Sequence, residues 1–343
     1  MTAIQFGYSL PIFAWPGKGL FRAPNWTTLN AATTMSLGVY AEELGYDSLW
    51  VADHLMLGAD EAILEGWTTI SALAGATKRA KLGVIHQAHY FRPPAITAKM
   101  TATLDQISGG RFILFYDYGQ QLRENRAYGL PYPDSVEDRV RDTIDGIRLI
   151  KELWTATEPT TIHSGSFSVI DATCAPGPVQ QPHPPIWFGE VHPGLLAACA
   201  EFGQGWNTTP VSITELNRRL GLLKDACATA GTSYDAIEKS VELQVLISPE
   251  AGARSLLGEL LEKAPDKSDA DPALLSYIAG ETASPPDAIA HTTLIGSPAE
   301  VTEQLQAYVD AGATHFILWF LDAPNREGME LFAREVAPAF RGS

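Results

Sequence analysis

The chain has 343 residues, of which 45% are apolar and 19% are charged, so its composition excludes an intrinsically disordered chain and a charge-rich coiled coil. Its 24 lysine and arginine residues against 40 acidic residues give a net charge of −16, which argues against nucleic acid or an anionic membrane surface as a partner. The longest apolar runs, such as Phe316–Leu321, are far shorter than the roughly 20 residues of a membrane-spanning helix.

The start of the chain and its cysteines indicate a cytoplasmic protein. Met1–Tyr8 lacks the basic segment and apolar segment of a secretory signal and is typical of a strand. Cys174, Cys199 and Cys227 are odd in number and have no metal-binding spacing. We therefore predict neither a disulfide framework nor a zinc site.

Short β-branched or aromatic runs alternate along the chain with longer segments in which apolar residues recur at the helical period. Eight strands, each followed by a helix, predict a (β/α)8 TIM barrel that spans residues 1–343 as one domain, with an open doubly wound sheet as the alternative. The predicted strands are Ile4–Tyr8, Ser48–Ala52, Lys81–Ile85, Phe112–Tyr116, Ile186–Phe188, Gly205–Thr208, Val241–Ser248 and His315–Leu321. The predicted helices are Leu29–Leu44, Thr68–Ala74, Ala95–Ile107, Ser135–Trp154, Gly194–Glu201, Ile213–Ala230, Pro298–Ala311 and Asn325–Ala337.

Two stretches interrupt the repeat and are predicted to be insertions in loops. Residues 155–184 are rich in Pro, Gly, Ser and Thr and predict a hairpin around Ser164-Gly165, whereas residues 249–290 mix a short helical pattern with charged and Pro-rich segments. Loops that follow barrel strands lie on the face where such barrels carry their active sites. These insertions are candidates for a lid or a pocket wall, with solvated surface loops as the alternative.

Several common enzyme motifs do not occur in the sequence. It has no G-x-x-x-x-G-K-[ST], no G-x-G-x-x-G after a strand, no H-E-x-x-H and no G-x-S-x-G. His86-x-x-His89 could supply two metal ligands, but no carboxylate or third histidine lies close to it in the sequence. We predict no metal site.

The motifs that do occur form an ordered series of strand ends and helix boundaries. They are Trp50-Val51-Ala52-Asp53-His54, Leu82-Gly83-Val84-Ile85, Phe91-Arg92-Pro93-Pro94, Ser108-Gly109-Gly110-Arg111, Pro185-Ile186-Trp187-Phe188-Gly189, and Gly296-Ser297-Pro298-Ala299-Glu300. In this order the chain resembles the bacterial luciferase-like superfamily of FMN-dependent and F420-dependent oxidoreductases, from Ile4 to about Phe340. The resemblance implies a (β/α)8 barrel with insertions, a flavin or deazaflavin at the mouth of the barrel, and a homodimer or larger assembly.

The resemblance leads us to expect a flavin-dependent monooxygenase of this superfamily. Such an enzyme takes reduced FMN from a separate flavin reductase and uses it with O2 to oxygenate a small organic substrate. An F420-dependent hydride-transfer enzyme is the alternative, and a non-catalytic flavin-binding barrel is a further one.

Asp53 and His54 end the second predicted strand, where the resemblance implies a pair that contacts the cofactor or handles a proton. An imidazole can act as a general acid or base near neutral pH, so His54 is the first catalytic candidate. The alternatives are that His54 is a hydrogen-bonded histidine of the barrel mouth and that Asp53 only orients it or caps the next helix. His86, at the end of the third strand, is a second catalytic candidate because it can reach the pocket.

Two further positions are implied by the resemblance around the ring of the cofactor. Val84-Ile85 corresponds to a strained cis peptide that backs the ring, although two aliphatic residues there are also typical of strand core. Tyr118 and Gly119 match cofactor-binding positions, while a motif that is usually G-x-G-x-G reads Phe115-Tyr116-Asp117 here and implies a reshaped pocket.

Gln120 stands where F420-dependent sugar-phosphate dehydrogenases carry a catalytic glutamate. An amide cannot ionise and donate that proton, which favours reduced FMN over F420 and leads us to expect tighter binding of reduced FMN. The remaining candidates are Gly189, Glu190, Val191 and His192, which precede a predicted helix. Backbone amides at a helix N-terminus favour an anion, so this segment is expected to bind the cofactor phosphate, provided that the Glu190 carboxylate is turned away.

Overall fold

The computed structural model describes residues 3–14, 29–119, 122–249, 252–262 and 270–341. The strands are β1 (Gln5–Ser9), β2 (Ser48–Ala52), β3 (Lys81–Ile85), β4 (Gln87–Ala88), β5 (Phe112–Asp117), β6 (Thr160–Ser164), β7 (Phe167–Ala172), β8 (Ile186–Gly189), β9 (Gly205–Thr208), β10 (Glu238–Ile247), β11 (Thr293–Gly296) and β12 (His315–Phe320). The helices are α1 (Ala31–Glu43), α2 (Gly66–Ala76), α3 (Pro94–Ser108), α4 (Leu122–Ala127), α5 (Val136–Thr155), α6 (Pro193–Phe202), α7 (Ile213–Ala230), α8 (Ala253–Glu262), α9 (Pro272–Ile278), α10 (Asp287–Ala290), α11 (Pro298–Asp310) and α12 (Glu327–Leu331).

Eight strands of the described ranges close a parallel barrel, in the order β1-β2-β3-β5-β8-β9-β10-β12 and back to β1. The ring closes at β1, where Gly7 is the register partner of Ser48 on β2 and of Ile317 on β12. Helices α1, α2, α3, α5, α6, α7 and α11 each lie between two successive barrel strands, and α12 follows the last one. The predicted (β/α)8 barrel is therefore confirmed.

The interior of the barrel is filled by aromatic side chains. The rings of Trp50 and Trp187 lie with their centroids 5.1 Å apart, and both side chains are almost completely buried. A Cβ atom on Gly83 would overlap the ring of Trp50, and one on Gly205 would overlap the ring of Trp187. These two glycines make room for the large rings. Because the described interior is packed, a ligand that binds to the barrel itself has to bind at one of its mouths.

Polar side chains lie among these rings near the amino-terminal ends of the strands. His315 Nδ1 donates to Glu238 Oε1 (2.6 Å), and its Nε2 shares a hydrogen bond with Ser48 Oγ (2.9 Å), which also accepts from Trp50 Nε1. These are the residue types of a nucleophilic triad. Ser48 and His315 are nevertheless completely buried, so the arrangement satisfies core polar groups rather than meeting a substrate.

Both predicted insertions carry secondary structure of their own. β6 and β7 form an antiparallel hairpin that turns at Gly165, as predicted around Ser164-Gly165. The described part of residues 249–290 contains α8, α9 and α10, whose apolar side chains form a second cluster with β10 and β11 around Leu257 and Leu274. None of the helices in the described ranges combines the length and apolarity that crossing a bilayer requires.

β11 is a strand that the periodicity did not predict. It has four residues, Thr293–Gly296, and it pairs in parallel with the second half of β10, after the first half has paired with β9. β11 therefore continues along the edge of β10 that β9 leaves free. The predicted start of the following helix is confirmed, since Ser297 caps α11 and Glu300 completes a capping box.

Candidate active site at the barrel mouth

A cavity of about 550 Å³ opens at the carboxyl ends of the barrel strands, and this volume is typical of small-molecule sites. Most of its wall consists of residues that end or directly follow β2, β3, β5, β8 and β9. The lining residues are Asp53, His54, His86, Ala88, Phe91, Asp117, Tyr118, Gly119, Asn125, Glu190, Val191, His192 and Thr209. The fold thus brings together eight of the site residues predicted from the sequence, namely Asp53, His54, His86, Tyr118, Gly119, Glu190, Val191 and His192.

His54 lies on the cavity wall with a carboxylate behind it. Its Nδ1 donates to Glu124 Oε1 over 2.8 Å, while the second oxygen of Glu124 accepts from the backbone amide of Leu55 (2.6 Å). The side chain of Glu124 is 5% exposed and that of His54 is 22% exposed. Because Nδ1 carries the hydrogen, Nε2 is the ring nitrogen with a lone pair and can accept a proton. His54 can therefore act as a general base that Glu124 orients.

Asp53 is held by a buried ion pair next to His54. Its two oxygens accept from Arg92 Nη1 (2.9 Å) and Nη2 (3.0 Å), and Oδ2 also accepts from the amide of Ala88 (3.0 Å). Arg92 reaches Glu65 as well, over 2.8 Å. Burial raises the pKa of the Asp53 carboxyl, and the Arg92 guanidinium opposes this shift. The pair ties the end of β2 to the loop before α3.

His86 is clamped between two carboxylates at the floor of the cavity. Its Nδ1 donates to Asp117 Oδ2 (3.0 Å) and its Nε2 donates to Glu242 Oε1 (2.8 Å), which also accepts from Asn207 Nδ2 (2.9 Å). Two donating nitrogens require the doubly protonated imidazolium. Burial lowers the pKa of His86, but the carboxylates of Glu242 and Asp117 outweigh it and raise that pKa to about 10. His86 therefore carries a fixed positive charge and cannot serve as a base at neutral pH.

The charge of His86 predicts a pH-dependent stability. Its pKa is raised from 6.5 to about 10 on folding, so the stabilisation is complete below pH 6.5 and is lost as the pH rises through about 10. Between pH 7 and 9 the free energy of unfolding of the unsubstituted protein should fall by about 1 kcal/mol per pH unit relative to that of His86→Gln. Urea unfolding at a series of pH values measures this difference. The control is His163→Gln, at an exposed histidine of β6, for which the free energy of unfolding should vary with pH as in the unsubstituted protein. Equal pH dependence in all three proteins would contradict the placement of a charged His86 between two carboxylates.

Tyr118 and Gly119 form the wall next to this floor. Gly119 has a φ of +72°, a conformation that favours glycine, so backbone rather than a side chain lines the cavity there. The guanidinium of Arg139 lies 5.7 Å from the centroid of the Tyr118 ring and 4.4 Å from that of Tyr132. Its Nη1 also donates to the backbone oxygens of residues 133 and 134, which holds the cation against the rings.

The segment before α6 lies on the opposite wall. Glu190 has a φ of +63° and its carboxylate pairs with Arg219 Nη1 over 2.8 Å, so the negative charge that would oppose a phosphate is neutralised. His192 is the N-cap of α6, and its Nδ1 accepts from the amide of Gly194 (3.1 Å). Gly189 lies behind the wall, where a Cβ atom would lie 3.1 Å from the Phe115 ring. A side chain at this position would press on that ring, and Gly189 is not among the residues that line the cavity.

The prediction of a cis peptide bond between Val84 and Ile85 is wrong. Cis bonds in the described part of the chain precede prolines only. β3 pairs in regular register with β2 through Ile85, which leaves no bulge between these two residues, and the backbone departs from the strand at His86 with a φ of +52°. Val84 and Ile85 are buried behind the cavity wall. Gln120, the third catalytic candidate, lies outside the described residues.

Several polar residues of the site were not found from the sequence. Glu242 and Asn207 complete the His86 clamp, and Arg219 neutralises Glu190. A signal for Glu242 existed, because a charged residue inside the apolar strand Val241–Ile247 has to be paired when it is buried. No signal existed for its partner, which lies 156 residues earlier in the chain.

The described residues fit a planar flavin or deazaflavin at this mouth. The backbone of Gly119 and the side chains of Ala88, Phe91 and Val191 give an uncharged wall for a ring. The N-terminus of α6, with the Glu190 charge neutralised, is compatible with an anionic phosphate. The cavity thus offers an uncharged wall for the ring, and the N-terminus of α6 offers a place for the phosphate.

Comparison with known proteins agrees with this geometry. A family model for luciferase-like monooxygenases matches residues 4–315. The chain is 28% identical over 320 residues to an F420-dependent glucose-6-phosphate dehydrogenase of Microbacterium testaceum (strain StLB037), which covers 90% of this chain and 93% of that protein. It is 27% identical over 300 residues to an FMNH(2)-dependent dimethylsulfone monooxygenase of Pseudomonas putida, which covers 81% of this chain and 78% of that protein.

A solved structure with the same fold is that of an F420-dependent secondary alcohol dehydrogenase in complex with an F420-acetone adduct. It has a TM-score of 0.76 at 21% identity and covers 99% of this chain and 100% of that chain. Since the family model spans most of the chain, the protein belongs to the luciferase-like monooxygenase family and is an oxidoreductase of that kind.

Proposed function

We propose that this protein is an F420-dependent oxidoreductase that transfers a hydride between the deazaflavin and a small alcohol or its carbonyl product. The observation that carries the proposal is His54, which faces the cavity with Glu124 bonded to Nδ1. The removal of a hydride from an alcohol carbon also releases the hydroxyl proton, so the reaction needs a base at this position. The names of the relatives support the cofactor, because several carry F420 and one carries FMN.

This proposal replaces our first expectation, which was a monooxygenase that binds reduced FMN more tightly than F420. That expectation depended on Gln120, whose placement is outside the described residues. The relatives named as F420-dependent outweigh it. The FMN reaction, with O2 and a flavin reductase as partners, remains the second candidate because of the dimethylsulfone monooxygenase relative.

In the proposed reaction the residues of the chain have separate roles. The deazaflavin, when bound, supplies a ring carbon that accepts or donates a hydride. His54 Nε2 takes the proton of the substrate hydroxyl, and the Glu124 carboxylate keeps Nδ1 protonated and stabilises the imidazolium that results. Tyr118, Gly119 and Val191 would hold the ring, and the start of α6 would hold the phosphate.

Anaerobic titration of the purified protein with F420, FMN and reduced FMN tests the cofactor. We expect F420 to bind at least ten times more tightly than either form of FMN, and a panel of small alcohols to reduce the bound F420, followed by its visible absorbance. Preferential binding of reduced FMN, with consumption of O2 when air is admitted, would favour the second candidate. Tight F420 binding without turnover of any alcohol or carbonyl would contradict the catalytic proposal and leave a cofactor-binding barrel.

A further inference from the structure

We infer that a small buried pocket behind the wall of the cavity, between β4–β5 and α3, binds ordered water. The pocket is defined by the side chains of Gln87, Thr97, Thr101 and Tyr116, none of which lines the cavity. It is therefore a second site, and its occupation does not depend on which cofactor the protein binds.

Gln87 is buried on β4 with its amide unsatisfied. The residue is 1% exposed, and neither Oε1 nor Nε2 has a hydrogen-bond partner within the described part of the chain. A primary amide can accept two hydrogen bonds and donate two. A buried amide without any of them is strongly unfavourable, and such groups in native proteins are bonded to protein or to ordered water.

The register of β4 places the Gln87 side chain on the outer face of the barrel. Gln87 is the register partner of Tyr116 on β5, whereas the next pair, Ala88 and Asp117, lines the cavity. Because side chains alternate along a strand, Gln87 and Tyr116 point away from the cavity and toward the helices. The hydrogen bond between the Tyr116 hydroxyl and His89 Nδ1 (2.8 Å) lies on this side as well.

Two threonines of α3, which packs on β5, bring hydroxyl groups to the same layer. Thr97 and Thr101 lie one turn apart and are completely buried, and neither Oγ1 has a hydrogen-bond partner among the described residues. Thr97 lies beside the Tyr116 hydroxyl, near enough to lower its pKa but outside hydrogen-bonding geometry. A threonine inside a helix commonly donates to the carbonyl one turn earlier, as Thr103 does to Lys99 (2.8 Å). The hydroxyls of Thr97 and Thr101 do not make this bond and are available to a ligand.

The groups around the pocket favour a neutral ligand. Burial raises the pKa of Tyr116 and lowers that of His89 to about 3, so both side chains are uncharged at neutral pH. Water matches the amide and hydroxyl groups because one molecule both donates and accepts, and a buried water typically makes about three hydrogen bonds. A water between the Gln87 amide and a threonine hydroxyl joins β4 to α3 directly behind Ala88, which is part of the cavity wall.

A high-resolution crystal structure of the unliganded protein tests the site directly. We expect density for at least one water within about 3.2 Å of the Gln87 amide and of Thr97 or Thr101 Oγ1. Magnetic relaxation dispersion of the water in solution should report at least one more long-lived internal molecule in the unsubstituted protein than in Gln87→Met. Direct contact between the amide and a threonine, with no density between them, would overturn the inference.

Apolar replacements of similar size have opposite effects in a hydrated and a dry pocket. Thr101→Val and Gln87→Met should each lower the melting temperature by about 2 °C, because a hydrogen bond to bound water is lost. In a dry pocket both changes should raise it, because they remove buried polar atoms that have no partner.

The control is Thr103→Val, at an exposed threonine of the same helix, which repeats the change in helix propensity and should leave the melting temperature nearly unchanged. Two pocket positions are substituted so that a packing defect at one of them does not decide the result. Higher melting temperatures for both Thr101→Val and Gln87→Met would overturn the inference, whether or not the protein binds F420.

Discussion

Replacement of His54 by alanine should lower kcat for F420-linked alcohol oxidation by about 10²-fold, which is the low end for a general base. The reason is that His54 lines the cavity while its Nδ1 is held by Glu124 over 2.8 Å, which leaves Nε2 as the nitrogen that can accept a proton. Affinity for the cofactor should change little, because an uncharged wall and the start of α6 are proposed to hold it. Steady-state kinetics, a cofactor titration and a melting curve on the same preparation separate these effects.

Two comparison variants make the His54 result specific. His163→Ala removes an exposed histidine of β6 that does not line the cavity, and it should leave kcat unchanged. Glu124→Gln keeps a hydrogen-bond acceptor for Nδ1 but removes the charge that stabilises the imidazolium, so an intermediate loss of about tenfold is expected. If His54→Ala loses stability while turnover per folded molecule is unchanged, His54 is a packing residue and the proposed base is wrong.

Replacement of Arg92 by methionine should lower the free energy of unfolding by about 3–5 kcal/mol, because it leaves the Asp53 carboxylate buried without its cation. Asp53 is 3% exposed and takes two hydrogen bonds from Arg92. The loop between β3 and α3 would lose the contact that holds it to the end of β2. Urea unfolding, followed by circular dichroism, gives the difference in free energy.

The same change at a surface ion pair provides the control for Arg92. Arg141 pairs with Asp138 one turn earlier on α5, and its side chain is 59% exposed. Arg141→Met should therefore leave the free energy of unfolding almost unchanged. When Arg92→Met is made in a protein that already carries Asp53→Asn, the loss of unfolding free energy should be smaller, because no buried carboxylate is left without its cation. Equal losses for Arg92→Met and Arg141→Met would show that the buried pair does not support the site.

The sequence by itself was sufficient to predict the barrel. Strand and helix periods are local properties, and a parallel βα repeat of this length has few ways to bury both faces of its sheet. The same local reasoning placed Asp53 and His54 at a strand end, and therefore at the mouth. It did not predict β11, which pairs with the part of the β10 edge that β9 leaves free.

Only the tertiary structure decided what the site residues do. His86 looked like a second proton-transfer group, and became a fixed cation because barrel closure sets Glu242 beside it across 156 residues. Asp53 looked like a cofactor contact, and its oxygens are taken by Arg92. Val84-Ile85 looked like a strained bond and is regular strand. Side-chain chemistry is encoded residue by residue, but the charge and availability of each group depend on neighbours that the closed barrel brings together from distant parts of the chain.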